Sequence, residues 1–127
     1  MHTKPAMKKV YILISAIVFS QFSFAQASIT PEEAAKHVGE TVTVCGKVFG
    51  GRFFETSKNS PTLLNMGAAY PASPFTVMIP GELRAKMGYA PEAELKEKNI
   101  CVKGEIILYK EKPEIILKDV SDLEIKK

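Results

Sequence analysis

Apolar and polar residues alternate with a period of two in three separate stretches of the chain. In "TVTVCGKVF", residues 41 to 49, Val42, Val44 and Val48 fall on one face, and Thr41, Thr43, Cys45 and Lys47 on the other, the pattern of a half-buried strand. "PTLLNM" (61 to 66) reads as a second strand and "FTVMI" (75 to 79) as a third, with Phe75, Val77 and Ile79 inward and Thr76 and Met78 outward. "NICVKGEIILY" (99 to 109) gives a fourth. It sets Ile100, Val102, Ile106 and Leu108 inward and Cys101, Lys103, Glu105 and Tyr109 outward. After a turn at "KEKP", "EIILK" (114 to 118) forms the fifth. Gly46 and Gly104 lie on inner rows, where a missing side chain lets a strand bend sharply.

Between these strands the period changes. In "ITPEEAAKHVG" Thr30 is a helix cap, Pro31 suits the first helical position, Glu33 completes a capping box and Gly39 ends the element. Ile29 and Ala34 have staple spacing, so this short helix is expected to close one end of a barrel or sheet. "RFFETSKNS" (52 to 60), after Gly50-Gly51, reads as a long loop or frayed hairpin. Pro80-Gly81 stops strand three, and "ELRAKMG" with "PEAELKEK" supplies short helical turns that bury Leu83, Met87 and Leu95. Strand, strand, strand, helix, strand, strand is the order of the OB-fold. The predicted class is therefore mainly β: a five-stranded Greek-key barrel with short helices before strand one and between strands three and four. The rival is another small mixed sheet.

Residues 1 to 27 have a different character. Lys4, Lys8 and Lys9 precede the apolar run "VYILISAIVFS" and small residues at "SFAQA", the layout of a secretory signal peptide. Cleavage is expected after Ala25 or Ala27, and Met7 can equally begin such a segment. The apolar run is shorter than the roughly 20 residues a spanning helix needs, and no cysteine is placed for lipid anchoring. The reading is an exported protein, periplasmic or secreted, with one domain over residues 28 to 127 and no membrane attachment after cleavage. The three lysines of the leader account for the whole net charge of +3, leaving 14 basic and 14 acidic residues in the remainder. That balance argues against strong, sequence-independent binding to nucleic acid. In an exported chain the two cysteines, Cys45 and Cys101, suggest a pair, and alternation sets both on the outer face of strands one and four, neighbours in an OB barrel. With His37 as the one histidine outside the leader, four zinc ligands cannot be assembled. His37 reads as a surface residue.

"PTLLNMGAAYP…FTVMI" followed by "ICVKGEIILYKEKPEIIL" resembles a group of small bacterial OB-fold domains described as nucleic-acid-binding, found alone behind a signal peptide or attached to nuclease-like enzymes. The resemblance runs from Ile29 to about Ile125. That group carries aromatic residues after strand three, where this chain has Pro80 and Met87.

No nucleophile-base pair, phosphate loop or carboxylate cluster is visible, so neither catalysis nor a cofactor or metal is expected. Arg52 and Arg84 have no acidic metal site between them of the kind nuclease chemistry on this barrel needs. OB barrels present ligands to the face of strands two and three and to the loops joining strands one to two and four to five. The loops contain Arg52, Phe53, Phe54, Lys58, Tyr109, Lys110 and Lys112, aromatic rings interleaved with cations as single-stranded nucleic acid requires. Of these, Arg52, Phe54, Lys58, Tyr109, Lys110 and Lys112 are the candidate ligand-binding residues. Against that, one phenylalanine of the adjacent pair is expected to pack on the barrel end, and Glu55 and Glu111 dilute the positive field. Two alternatives stand beside nucleic acid: another small ligand such as a sugar, cation or peptide, and docking to a partner protein.

Overall fold

The computed structural model describes residues 27–127; the expected signal peptide lies, but for Ala27, outside the described residues. Eight strands, β1 Ser28–Ile29, β2 Thr41–Phe53, β3 Thr62–Met66, β4 Phe75–Ile79, β5 Asn99–Glu105, β6 Ile107–Tyr109, β7 Lys112–Ile116 and β8 Leu123–Ile125, form one sheet. Its hydrogen-bonded order is β6-β7-β4-β3-β2-β5-β8, with β1 added in parallel to β2. The five expected strands are all present, and their pairing is that of an OB-like fold: one with two, two with three, three with five in parallel, and one with four. The hydrogen-bonded path is open, with β6 and β8 at its ends.

Predicted strand four is two strands. The residue between them, Ile106, keeps its backbone paired with the lead-in to β2, through Gly39 N–H to Ile106 O at 2.8 Å and Ile106 N–H to Glu40 O at 3.0 Å. Beyond it the chain leaves β2 and pairs with β7, Ile107 opposite Glu114 and Tyr109 opposite Lys112. This change of partner also corrects the inward assignment of Leu108, which is 54% exposed. It sits opposite Pro113, past the end of the core.

The inner rows otherwise follow the alternation. Val44, Val48, Leu64, Met66, Phe75, Val77, Ile79, Ile100, Val102, Ile106, Ile115 and Leu117 make the centre of the core, joined by Leu83 and Leu95 from the segment after β4. At about 25 cal/mol per Å² of apolar area removed from water, this burial is the main stabilising contribution. Met87 packs partly buried against the core, as its spacing suggests. The segment after β4 holds two short helices, Gly81–Met87 and Pro91–Glu94.

At two glycines of the inner rows the missing side chain admits a close approach. A Cβ on Gly46 would lie 2.6 Å from Cγ of Pro31, so this position admits the close approach of the first helix to β2. A Cβ on Gly104 would lie 2.6 Å from Cγ2 of Ile115, so here β5 and β7 come together across the interior. The first helix, Pro31–His37, is 3-10 rather than α and carries the expected capping box, with Thr30 N–H donating to Glu33 Oε1 at 2.9 Å and Glu33 N–H to Thr30 Oγ1 at 3.3 Å. It packs on β2, β4 and β7, and Ala34 is fully buried. His37 is at the surface, its Nδ1 3.0 Å from Glu40 Oε1.

Cys45 and Cys101 are directly opposite in the β2–β5 ladder and form a disulfide with Cα atoms 4.1 Å apart. Cys45 is half-buried on the outer face, while Cys101 is 9% exposed where β8 runs alongside. No helix among the described residues is long and apolar enough to cross a membrane.

Candidate functional site

The outward side chains of β3 and β4 form a strip continued by β7 and the end of β2. Register defines its rows. Arg52, Leu63, Met78 and Ile116 lie side by side in one; Asn65, Thr76, Glu114 and Ile107 in the next; Lys112 and Tyr109 in a third. Rows two residues apart are about 6.7 Å apart, so the outer rows are separated by about 13 Å. The predicted site residues therefore fall into two groups at opposite ends of the strip: Arg52, Phe54 and Lys58 at one, and Tyr109, Lys110 and Lys112 at the other. The structure does not bring the two groups into contact; register places Arg52, Tyr109 and Lys112 on one face.

At the first end, Gly50 to Phe53 extend β2 by pairing with Asn65 to Thr62, so the start of the segment expected as a long loop or frayed hairpin, Arg52 and Phe53, is hairpin strand. A register shift between Val48 and Gly50 precedes them and re-aims the strand. The remaining loop is closed by Phe54 N–H to Pro61 O at 2.9 Å and tied to the next helix by Gly81 N–H to Asn59 O at 2.8 Å. Within it the Arg52 guanidinium stacks on the Phe54 ring at 4.9 Å, and Lys58 is exposed. The other phenylalanine, Phe53, packs beneath Arg84, whose guanidinium carbon is 3.6 Å from the ring centroid.

Arg84 is held by three neighbours. It donates to Thr62 Oγ1 at 2.9 Å and makes a two-pronged pair with Glu92, its Nη2 3.2 Å from Oε2. The hydrogen bond from Arg84, ahead of its charge and against partial burial, holds the Glu92 carboxyl below its usual range. An open recess of about 450 Å³ beside it is lined by Phe53, Gly81, Arg84, Ala85, Gly88 and Tyr89.

At the second end, Tyr109 and Lys112 flank the two-residue turn Lys110–Glu111, both with positive φ (50° and 69°), as a type I′ hairpin requires. Lys110 Nζ lies 5.4 Å over the Tyr109 ring. Lys112 Nζ donates to Pro71 O at 2.7 Å, fastening the β3–β4 loop to the hairpin.

Sequence reasoning missed the middle of the strip. Glu114 is 5% exposed and accepts a 3.1 Å hydrogen bond from Thr76 Oγ1. Burial raises its carboxyl above the usual range, with the Thr76 hydroxyl opposing. Beside it, buried Ser73 donates to Asn65 Oδ1 at 3.1 Å, so the β3–β4 loop reaches onto the same face. The alternation of "PEIILK" alone could place Glu114 outward, but its burial depends on neighbours from β4 and β6. Among the described residues, no group of three or more His, Cys, Asp or Glu side chains is placed to hold a metal ion.

No family model and no curated protein matches this sequence. Two solved structures are similar in fold. One, described as an aspartyl-tRNA synthetase from Leishmania major Friedlin, superposes with a TM-score of 0.55 at 13% identity over 82% of this chain and 21% of that one. The other, from the yeast Stn1 and Ten1 structure, has a TM-score of 0.54 at 12% identity over 84% of this chain and 65% of that one. This chain thus spans less than two thirds of either neighbour's length. Together with the strand order, these likenesses support an OB-like fold.

Proposed function

We propose that this protein is an exported, non-enzymatic OB-fold binding protein whose ligand is a single-stranded nucleic acid or oligonucleotide. In this reading the five central strands act as a barrel, with the Ile106 crossing from β2 to β7 serving as its seam. The observation that carries the ligand class is the strip itself. A stacked Arg52–Phe54 pair stands at one end and Tyr109 with Lys110 and Lys112 at the other, across the β3–β4 face. Rings offer every base a stacking surface, and cations beside them take the phosphates.

A second reading, a small neutral or cationic ligand, is favoured by one observation. The centre of the strip holds Glu114, which, when ionised, repels phosphate, beside the polar groups of Asn65, Ser73 and Thr76. Salt separates the two. Anisotropy titrations of the oxidised protein with labelled oligothymidylate, oligouridylate and a glycan panel are expected to show oligonucleotide binding at low salt that weakens as salt rises. Combined Arg52→Ala, Phe54→Ala, Tyr109→Ala and Lys112→Ala changes should abolish it. Absence of oligonucleotide binding at micromolar protein in low salt removes the nucleic-acid reading. Binding that survives the combined change removes this face.

A further inference from the structure

Two tyrosines at the hairpin end of the strip are exposed well beyond what packing requires, Tyr70 at 77% and Tyr109 at 54%. They come from different elements, the β3–β4 loop and the end of β6. The Lys112–Pro71 hydrogen bond binds these elements together one residue from Tyr70, while Tyr109 is the cross-strand partner of Lys112. One corner of the molecule therefore carries two solvent-facing phenols, with the ammonium group of Lys110 over Tyr109 and that of Lys112 on the Pro71 carbonyl. The other phenylalanines and tyrosines among the described residues are buried or half-buried: Phe49, Phe53, Phe54, Phe75 and Tyr89.

We infer that Tyr70 and Tyr109 form a two-ring platform on which bases of a single strand stack, with Lys110 and Lys112 holding the adjoining phosphates. This rests on the nucleic-acid reading and adds to it that recognition at this corner includes the bases and not the backbone charge alone. An exposed tyrosine is suited to that task, since its ring offers a large apolar face while only two side-chain torsions need be fixed. Lys112 is already ordered by its bond to Pro71, so less side-chain freedom remains to be lost when a phosphate arrives.

The test compares a short oligothymidylate with an abasic oligodeoxynucleotide of equal length, which has the same backbone charge and no bases. The oligothymidylate is expected to bind about tenfold more tightly for each stacked base. Tyr70→Leu and Tyr109→Leu should each remove about tenfold of that difference, and Tyr70→Phe should retain it. Because the chain has no tryptophan, quenching of tyrosine fluorescence by oligothymidylate, and not by the abasic strand, reads stacking directly. Equal affinity for the two strands overturns the platform while leaving nucleic-acid binding intact. A base preference unaffected by Tyr70→Leu overturns the role of Tyr70. Failure of every oligonucleotide to bind removes both this inference and the reading beneath it. Concentration-dependent self-association lost in Tyr70→Leu, without any base preference, assigns the corner to a protein surface instead. Unchanged thermal midpoints in the leucine variants exclude misfolding as the cause.

Discussion

Replacing Arg84 with methionine should destabilise the fold by about 2–3 kcal/mol, because one guanidinium serves three partners and the new thioether serves none. Arg84 and Glu92 side chains are only 17% and 22% exposed, so the pair is shielded in a way a surface ion pair is not. The charged two-pronged hydrogen bond is worth about 1.5–3 kcal/mol. Stacking on Phe53 contributes about 1 kcal/mol. Loss of the donor to fully buried Thr62 adds a further penalty, and the parts overlap because they share one group. For a domain of this size the loss lowers the thermal midpoint by about 10–20 °C. Urea unfolding of wild type, Arg84→Met, Glu92→Gln and the double variant gives the coupling directly, expected at about 1–2 kcal/mol. The sign with pH is fixed. Glu92 is held below its usual range in the folded state, so its contribution is present above the unfolded carboxylate range, near pH 4.3, and is lost as pH falls through the lower folded value. Arg84→Met should abolish that acid-side loss. A coupling below about 0.5 kcal/mol would refute the reasoning and make the pair an ordinary solvated one.

Further outcomes follow from other parts of the fold. Joint Cys45→Ser and Cys101→Ser replacement opens a 56-residue separation and should cost up to about 4 kcal/mol, read as a lower urea midpoint that added reductant does not lower further. Glu114→Gln keeps the hydrogen bond from Thr76 but removes a carboxyl whose folded range is raised by burial. Wild type should therefore lose stability relative to Glu114→Gln as pH climbs from the unfolded carboxylate range through the higher folded one, and parallel pH profiles would sink this reading. Gly104→Ala should cost about 1–3 kcal/mol by forcing Ile115 away, and Ile115→Val, which removes the Cδ1 methyl and leaves the β-branch, should restore little; a full rescue would show that Cγ2 is not the clash.

The five central strands and their partner order were legible where the alternation is long and where Pro80-Gly81 and the hairpin turn punctuate it, whereas the short edge strands β1 and β8 and the division of strand four were not. The capping box at Thr30 and Glu33 was legible for the same local reason. Other features depend on neighbours distant in sequence. Gly50 to Phe53 are strand because β3 offers unpaired backbone groups, and "GGRF" itself left loop and frayed hairpin open. The break at Ile106 leaves the inward–outward pattern of "GEIILY" nearly intact, since the change of partner rotates only the residues past it. Leu108 marks the limit: alternation fixes which side a residue faces, and not whether the core still extends that far. At the site, residue types suggested both loop clusters and Phe54 over Phe53, but the partner that holds Phe53, Arg84, was not legible. Buried Glu114 and exposed Tyr70 required the fold of the β3–β4 loop.

The placement of charge bears on how such a protein could bind at all. Over residues 28 to 127, basic and acidic residues are equal in number, so no global field draws a polyanion in. Any attraction has to be local. Along the strands, the Arg52 row is about 13 Å from the Lys112 row, further apart than a Debye length at physiological salt, so the two ends would act as separate subsites. Arg84, the second arginine beside the first end, is already neutralised by Glu92 and contributes no free charge. A single strand spanning both subsites would pass Glu114, whose buried carboxyl favours its neutral form relative to an exposed one. Contact at the centre of the strip would then be strengthened by acid and weakened by base, whereas contact confined to the tyrosine corner would be indifferent to it. Oligothymidylate affinity measured across the carboxylate range, in wild type and in Glu114→Gln, distinguishes them. A pH dependence that the glutamine variant lacks places the strand across the whole face, and identical profiles confine it to one end.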